Sequence, residues 1–435
     1  MAIKGIRISV IICVFLYFLV PYYVFPQSII ISGTVLEAET SEPLEFVSVY
    51  VKNSNFGTFT NRNGEFVFNV PNTYKDSLLV LSLIGFKSST ANLSKVGVGE
   101  IFNLMVDQYF LDEVIVTADS SNFIVSKALK SIKSNNARKQ HYLDAFYRET
   151  VTMDSNYVRM LEAAVGIQDF SYLSSRDRRK AKIYEIRKTD DFVEKGWITK
   201  IIEKIFSSRN DLQMALHLCD FVRRYEQEKM LLYFDTDMEF VDFHEFKLEK
   251  ISLFEGKEVY EIGIYLPAAI DKGQFGGKLY INKEDFAILK LEFFSRLPNF
   301  QKERTPSMYN AFVTKYLAEY RKVNGTYYLS RIQFIGPENF DALDPETMTG
   351  FQFFQSDMIV NEVLDKRKDF IRIKNREKLS DSGRMYKEDF AYNPEFWEHY
   401  NILISTENYH KIVKDLTRKK SLQDQFKSNS KLYDQ

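Results

Sequence analysis

Residues 42–49 read Glu-Pro-Leu-Glu-Phe-Val-Ser-Val and residues 57–66 read Gly-Thr-Phe-Thr-Asn-Arg-Asn-Gly-Glu-Phe, and these two stretches decide the fold of the first part of the chain. Four valines lie at even separations, as expected for strands with one buried face: Val35, Val47, Val49 and Val51. Asn63-Gly64 supplies the residues that a tight hairpin turn requires. The pattern predicts a small β-sandwich over residues 28–118.

The same region carries a family resemblance. Together with Leu83-Ile84-Gly85-Phe86 and the closing segment Leu111–Ala118, it resembles the carboxypeptidase-regulatory-like domain. That domain is a transthyretin-like sandwich found at the N-terminus of many TonB-dependent outer-membrane receptors of Gram-negative bacteria. The resemblance implies a location in the cell envelope and names no ligand or activity.

Residues 1–27 have the charge order of a secretory signal. Lys4 and Arg7 precede the apolar run Ile8–Phe25, and we expect cleavage near Gln27. An uncleaved anchor is the alternative, because eighteen apolar residues can just span a bilayer core. The chain is therefore expected to be exported, to the periplasm or to the outer membrane.

Composition narrows the class of protein. The 435 residues include 58 basic and 59 acidic side chains, so no net field favours nucleic acid. Aromatic residues make up 15% of the chain, which favours a β-rich protein with a large inner face. Removal of the signal leaves Cys219 as the single cysteine, which we predict to be a core residue.

After the sandwich, the pattern alternates between helix and strand. Residues 119–137 are predicted as a linker helix with Ser120 or Ser121 as its N-cap, and 138–390 as an antiparallel β-rich domain. A helical insertion is expected near 198–222, and residues 391–435 form a C-terminal segment and helix. A 22-stranded receptor barrel needs roughly 220 residues in strands alone, before its turns, loops and plug are added. Because several stretches after the sandwich are predicted to be helical, too few residues remain for such a barrel, and we reject a transporter.

Three hairpins stand out in the β-rich domain. Their turns are Glu255-Gly256-Lys257, Lys283-Glu284-Asp285 and Asn324-Gly325, and a further long strand spans Gly350–Leu364. We expect an antiparallel meander of about eight to ten strands. The predicted fold class is mostly β with some α: a transthyretin-like sandwich followed by a large antiparallel sheet or half-barrel with packed helices.

Two further resemblances concern this domain. Gly277–Asn282 and Phe286–Glu292 resemble the hairpins of lipoprotein-carrier-like half-barrels, whose curved sheet wraps around helices and holds acyl chains. Leu143–Glu149, Asn393–Leu403 and Ser421–Phe426 are similar to secreted bacterial proteins named for their carboxypeptidase-like regulatory domain. That family name conveys no activity.

The sequence assigns no catalytic residue, metal ligand or cofactor. The five histidines lack the spacing of a zinc site, and no nucleophile elbow, phosphate loop or dinucleotide motif is present. The acidic residues Asp235, Asp237, Glu239 and Asp242 are interpreted as a solvated strand face. His141 is interpreted as structural, and Arg148 with Glu149 as a surface ion pair.

The candidate ligand-binding residues are aromatic. Seven phenylalanines could line a cavity for a lipid or a peptide, or fill a solid core: Phe286, Phe293, Phe294, Phe334, Phe351, Phe353 and Phe354.

These observations predict a non-enzymatic envelope binding or assembly module. Its sandwich would dock to a partner, and its β-rich domain would hold an apolar ligand or a partner segment. The expected partner is an envelope protein or a lipid-like molecule, with no nucleic acid and no cofactor. The alternatives are a carboxylate-based glycan or peptide hydrolase and a structural adaptor with a solid core.

Overall fold

The computed structural model describes residues 28–107, 118–153, 156–174, 176–192, 211–229, 244–267, 275–296, 313–337, 352–381, 384–404 and 407–430. Residues 1–27 lie outside this set, so the secretory signal stays a prediction. None of the helices in the described ranges is both long and apolar enough to cross a membrane.

The N-terminal sandwich consists of two small sheets around one apolar core. Its seven strands are β1 (Ser28–Glu37), β2 (Ser48–Val51), β3 (Gly57–Phe59), β4 (Glu65–Pro71), β5 (Leu78–Ser82), β6 (Ser89–Asn92) and β7 (Glu100–Leu104). One sheet has the order β4-β1-β7 and the other β3-β2-β5-β6. The predicted alternation is confirmed, because all four valines are fully buried. Gly64 has a φ of 72° in the expected turn.

A single ten-stranded antiparallel sheet forms the body of the protein. Its strands are β8 (His141–Met153), β9 (Asn156–Asp169), β10 (Lys180–Lys188), β11 (Glu245–Phe254), β12 (Lys257–Tyr265), β13 (Phe275–Asn282), β14 (Ile288–Arg296), β15 (Val313–Val323), β16 (Thr326–Pro337) and β17 (Gln352–Leu364). The order across the sheet is β10-β9-β8-β17-β16-β15-β14-β13-β12-β11. The predicted mostly β fold class is therefore confirmed.

The strand order is not the continuous meander that the sequence predicted. All three hairpins are present, and Asn324 and Gly325 both adopt positive φ in the third turn. However, β10 and β11 lie at opposite edges of the sheet, and β17 pairs with β8 in its middle. Strand patterning predicts which residues pair across a short turn, but it contains no information about pairing between distant strands.

Three helices cover one face of the sheet, which we call the inner face. They are α1 (Ala118–Asn135), α2 (Asp211–Cys219) and α3 (Phe221–Glu228). The apolar stripe of α1 is buried in the same core as α2, α3 and the strands. The N-cap prediction was wrong: Ser121 lies within α1, and its hydroxyl accepts a hydrogen bond from the Leu248 N–H at 3.0 Å. Cys219 is buried as predicted, and burial raises the pKa of its thiol to about 12.

The opposite face, called the outer face here, is covered by the N-terminal sandwich and by the C-terminal segment. That segment contains α4 (Pro394–His399), α5 (Glu407–Leu416) and α6 (Leu422–Ser428). Phe59 of the sandwich, Trp397 of α4 and Phe146 of β8 belong to one buried apolar cluster. The two faces of the sheet therefore bury different parts of the chain.

Hydrogen bonds also join the sandwich to the sheet and to the C-terminal segment. The Asn55 side chain donates to the Val363 carbonyl at 2.7 Å, and Arg321 donates to the Asn55 carbonyl at 3.0 Å. Asn69 and Asn401 exchange two hydrogen bonds, of 2.7 and 3.0 Å. These directional contacts fix how the sandwich sits on the outer face.

A buried ion triad holds the C-terminal segment. Glu162 accepts from Arg148 at 2.6 Å and also pairs with Arg187, while Arg148 donates to the Leu403 carbonyl at 2.8 Å. The expected surface pair of Arg148 and Glu149 was therefore wrong: Arg148 is buried with a different partner, and Glu149 is itself buried. The partner comes from the adjacent strand, where Arg148 and Glu162 are in register.

Candidate ligand-binding site

Three of the seven candidate phenylalanines meet on the inner face. The register places Phe293, Tyr316 and Phe334 side by side on β14, β15 and β16, with ring centroids 4.4 and 5.3 Å apart. Phe354 lies 6.1 Å from Phe334, and Phe221 of α3 lies 5.3 Å from Phe293. This aromatic row is buried between the sheet and the helices.

Three of the other four candidates lie elsewhere. Phe294 and Phe353 are half-buried and follow or precede inner-face residues, so strand alternation directs them to the outer face. Phe286 lies in the turn between β13 and β14 with a φ of 56°. Phe351 lies outside the described residues. The sequence already indicated that Phe293 and Phe294 lie on opposite faces, and likewise Phe353 and Phe354, because neighbouring residues in a strand cannot share a face.

Phe286 lines an apolar crevice at the end of α1. The crevice has a volume of about 370 Å³ and is also lined by Ser120, Phe123, Ile124 and Tyr260. Phe123 is 62% exposed, which is unusual for a large aromatic side chain. The sequence analysis did not select Phe123. Its exposure could have been predicted, because it is not part of the apolar stripe that α1 buries at positions 124, 125, 128, 129 and 132.

A cation lies over this aromatic pair. The Lys127 ammonium is 3.9 Å from the Phe286 ring centroid and 5.8 Å from that of Phe123. Such contacts orient both rings and place a positive charge beside the apolar surface. The crevice can therefore accept an apolar group next to an anionic or polar one.

A second polar cluster is closed to solvent. Arg223 of α3 pairs with Asp169 and with Asp220, and the Tyr320 hydroxyl donates to Asp220 at 3.0 Å. Burial alone would raise the pKa of Asp169, but Arg223 outweighs it and the pKa lies below its usual value. His141 Nε2 is 3.7 Å from Asp169, and burial lowers the pKa of its imidazole.

The chemistry of this cluster is structural. His141 and Asp169 resemble a general-base pair, yet both side chains are almost wholly buried and Tyr172 stacks on the imidazole. A substrate atom would need to reach the imidazole within hydrogen-bonding distance. The cluster fastens α3 to β9 and β15, and the structural role of His141 stays a prediction.

Two carboxyl groups face each other on the outer face. Asp144 of β8 is in register with Glu362 of β17. Burial raises the pKa of Asp144 to about 6, and burial together with Asp144 raises the pKa of Glu362 to about 7. Tyr400 donates to Asp144 at 3.0 Å and Asn55 donates to Glu362 at 3.1 Å. The C-terminal segment and the sandwich thus cover this pair.

The described ranges contain no group of three or more His, Cys, Asp or Glu side chains arranged to hold a metal ion. The acidic residues Asp235, Asp237, Glu239 and Asp242 lie outside those ranges. Their interpretation as a solvated strand face therefore stays a prediction.

The comparison with protein families concerns the sandwich. The family description CarboxypepD_reg-like domain matches residues 31–116. These residues form a CarboxypepD_reg-like domain. The match covers β1 from Ile31 onward and all of β2 to β7, and it confirms the resemblance that the sequence indicated.

Solved structures similar to this chain are remote. A putative outer membrane lipoprotein-sorting protein domain from Vibrio parahaemolyticus is 9% identical, with 60% of this chain and 96% of that chain covered at a TM-score of 0.24. A DUF1329 family protein from Desulfovibrio piger is 10% identical, with 57% and 94% covered at a TM-score of 0.23. Similarities this low establish no shared function. No curated protein matches the chain.

Proposed function

We propose that this protein is a non-enzymatic binding or assembly module of the cell envelope. The ten-stranded sheet with its helices holds an apolar ligand, and the CarboxypepD_reg-like domain docks to an envelope partner. The envelope location is supported by the family of that domain and by the charge order of residues 1–27.

The observation that carries the proposal is the crevice beside α1. Exposed Phe123 and half-buried Phe286 form the aromatic wall of the crevice, and Ile124 links that wall to the buried inner-face core. Ligand pockets combine such apolar walls with a few polar groups, and Lys127 supplies one here. The ligand that fits is an acyl chain or another apolar group with an anionic end.

The buried aromatic row would be the deeper part of the same site. Phe293, Phe334 and Phe354 are now covered by α2 and α3. A ligand that reaches these rings must displace the helices, so its entry would be opposed by the ion pairs of Arg223.

Docking to a partner is assigned to strand β7. In the part of the chain that the structure describes, β7 pairs only with β1 and so lies at the edge of its sheet. Ile101 within it is 65% exposed, and Val98 and Met105 on either side are also exposed. An apolar edge strand invites pairing with a strand of another protein.

Binding of a fluorescent fatty acid tests the ligand half of this proposal. Phe123→Ser combined with Phe286→Asn removes both aromatic rings of the crevice, and asparagine tolerates the positive φ at position 286. We expect the double variant to bind at least tenfold more weakly than the wild type, because two apolar contacts of roughly 1 kcal/mol each are lost.

The matched control for that experiment is Ile101→Ser, which removes an exposed apolar side chain from the CarboxypepD_reg-like domain. It should leave fatty-acid binding unchanged and weaken capture of an envelope partner. Equal fatty-acid binding by all three proteins would contradict the assignment of the crevice.

The non-enzymatic part is tested with a panel of glycans and peptides. Turnover that is abolished by Glu362→Gln would support the hydrolase alternative, since Asp144 and Glu362 are a facing carboxyl pair. We expect no turnover, because both groups are covered by other parts of the chain.

A further inference from the structure

A large cavity lies at one rim of the ten-stranded sheet, far along the sheet from the crevice of Phe286. This rim is where β8 and β10 begin and where β9 and β17 end. The cavity has a volume of about 830 Å³, within the range of about 300–1,000 Å³ that is usual for small-molecule sites. Four cations and two aromatic rings line it: Lys139, Lys180, Arg367, Arg372, Phe170 and Phe370.

The positive charge of the cavity is only partly offset from within. Among the described residues, no carboxylate forms an ion pair with Lys139, Arg367 or Arg372. Asp365 is the one carboxylate among the described lining residues, and it accepts a hydrogen bond from Asn324 at 3.0 Å. By contrast, the arginines of the ion triad and of the Arg223 cluster are paired with carboxylates. Four cations and one carboxylate around the same space leave a net positive charge, which attracts an anion.

The wall that carries the arginines is held in place. Ile373 is buried, and its N–H donates to the Gln168 side chain at 3.1 Å. The Lys180 ammonium donates to Asn375 at 2.8 Å. Residues 373–375 are thereby fastened to β9 and β10, and Arg372 is positioned next to an anchored residue. Such anchoring lowers the entropic cost of ordering the site when a ligand binds.

We propose that this cavity binds a phosphate-bearing ligand. Two guanidinium groups and two ammonium groups match a multiply charged oxyanion, since Arg binds phosphate in a bidentate manner and Lys as a point charge. Phe170 and Phe370 give the remaining walls an apolar character, which suits a phosphate attached to an organic group. Neighbouring Ile371 is 47% exposed, which also suits a lipid headgroup as the source of the phosphate. The inference is independent of the proposed apolar ligand.

The test compares a triple variant with a control of equal charge. Lys139→Gln, Arg367→Gln and Arg372→Gln together remove three exposed, unpaired cations from the cavity. Lys75→Gln, Lys87→Gln and Lys95→Gln remove three exposed lysines from the CarboxypepD_reg-like domain. The probes are glycerol 3-phosphate, measured by calorimetry, and phosphatidylglycerol vesicles against phosphatidylcholine vesicles, measured by sedimentation. Circular dichroism establishes that all three proteins are folded.

We expect the wild type and the control to bind a phosphate-bearing probe with affinities that agree within about twofold. The cavity variant should bind roughly a hundredfold more weakly, at about fivefold for each cation lost. Binding of glycerol 3-phosphate identifies a soluble source, and binding of phosphatidylglycerol vesicles alone identifies a lipid headgroup. The proposal is overturned if neither probe binds the wild type, or if both triple variants lose the same affinity.

Discussion

Glu162 is the central residue of the ion triad on the outer face. It is buried between Arg148 and Arg187, and Arg187 also lies against the Trp397 ring at 4.4 Å. Burial would raise the pKa of Glu162, but Arg187 and Arg148 outweigh it and the pKa lies below its usual value. This carboxylate is therefore ionised at neutral pH and serves as the counterion of both arginines.

Replacement of Glu162 by Gln should lower the free energy of unfolding by about 3–5 kcal/mol, because two buried guanidinium groups lose their counterion. Urea unfolding measures the change. Glu45→Gln is the control, since Glu45 pairs with Arg62 at an exposed site and should cost less than about 1 kcal/mol. Equal costs for the two substitutions would contradict the buried triad.

The carboxyl pair of Asp144 and Glu362 predicts a pH dependence. Both folded-state pKa values, about 6 and about 7, lie above the usual values for these groups. Folding therefore takes up protons, so the free energy of unfolding should rise as the pH falls from about 8 to about 5.5. Asp144→Asn with Glu362→Gln should remove this component. The idea fails if wild type and double variant show parallel unfolding curves against pH.

Sequence reasoning succeeded at this scale where the determinant was local. The burial of the alternating valines, of Cys219 and of the α1 stripe could all be predicted from spacing. The partners of Arg148 and Asp144 could not, because they come from positions 162 and 362 on neighbouring strands. The buried residues of such pairs look like ordinary surface charges in a sequence.

At the scale of elements, α3 is held by polar contacts as well as by the burial of Phe221 and Val222. Arg223 connects it to Asp169 at the end of β9, and the Tyr320 hydroxyl accepts from the Val222 N–H at 3.1 Å. The helix has only eight residues, a length at which an isolated helix has little stability. Its docking on the inner face therefore depends on this cluster.

Arg223→Gln should loosen α2 and α3 while the sheet stays folded, since Asp169 and Asp220 lose their main counterion. Hydrogen exchange in residues 211–228 should become at least tenfold faster, and that of β8 should stay unchanged. Lys229→Gln is the control, because its pair with Glu226 is exposed on the lysine side. Unchanged exchange in both variants would show that apolar packing alone holds the helices.

The order of the strands shows where element-level prediction ends. Each hairpin could be identified from its turn residues, and the Asn324-Gly325 turn has the predicted positive φ values. The pairing of β17 with β8 joins residues about two hundred positions apart, and only the tertiary burial of both strands determines it. For the same reason the sequence did not predict that β10 and β11, the strands before and after α2 and α3 in the chain, lie at opposite edges of the sheet.

At the scale of the whole molecule, Asn401 connects three units. Its side chain exchanges two hydrogen bonds with the backbone of Asn69 in the CarboxypepD_reg-like domain, and its carbonyl accepts from Asn361 of β17. Asn401→Ala leaves two buried backbone groups of Asn69 unpaired, at about 1–3 kcal/mol each. We expect a lower unfolding midpoint and faster exchange at the domain contact. Asn72→Ala, at an exposed position, should change neither.

The location of the candidate site also became visible only in the whole molecule. Seven phenylalanines suggested one aromatic surface. Of the six that the structure describes, three lie in a core row, two on the other face and one in the crevice of α1. The cationic cavity joins residues from positions 139 to 372, and no single stretch of sequence contains it.

Native mass spectrometry of the protein from Ser28 onward, purified from a bacterial envelope without detergent, tests the central claim most directly. We predict extra mass that dissociates as an apolar molecule and that is absent from the variant with Phe123→Ser and Phe286→Asn. A mass equal to that of the chain alone, for wild type and variant alike, would contradict the binding function and favour a structural adaptor with a filled core.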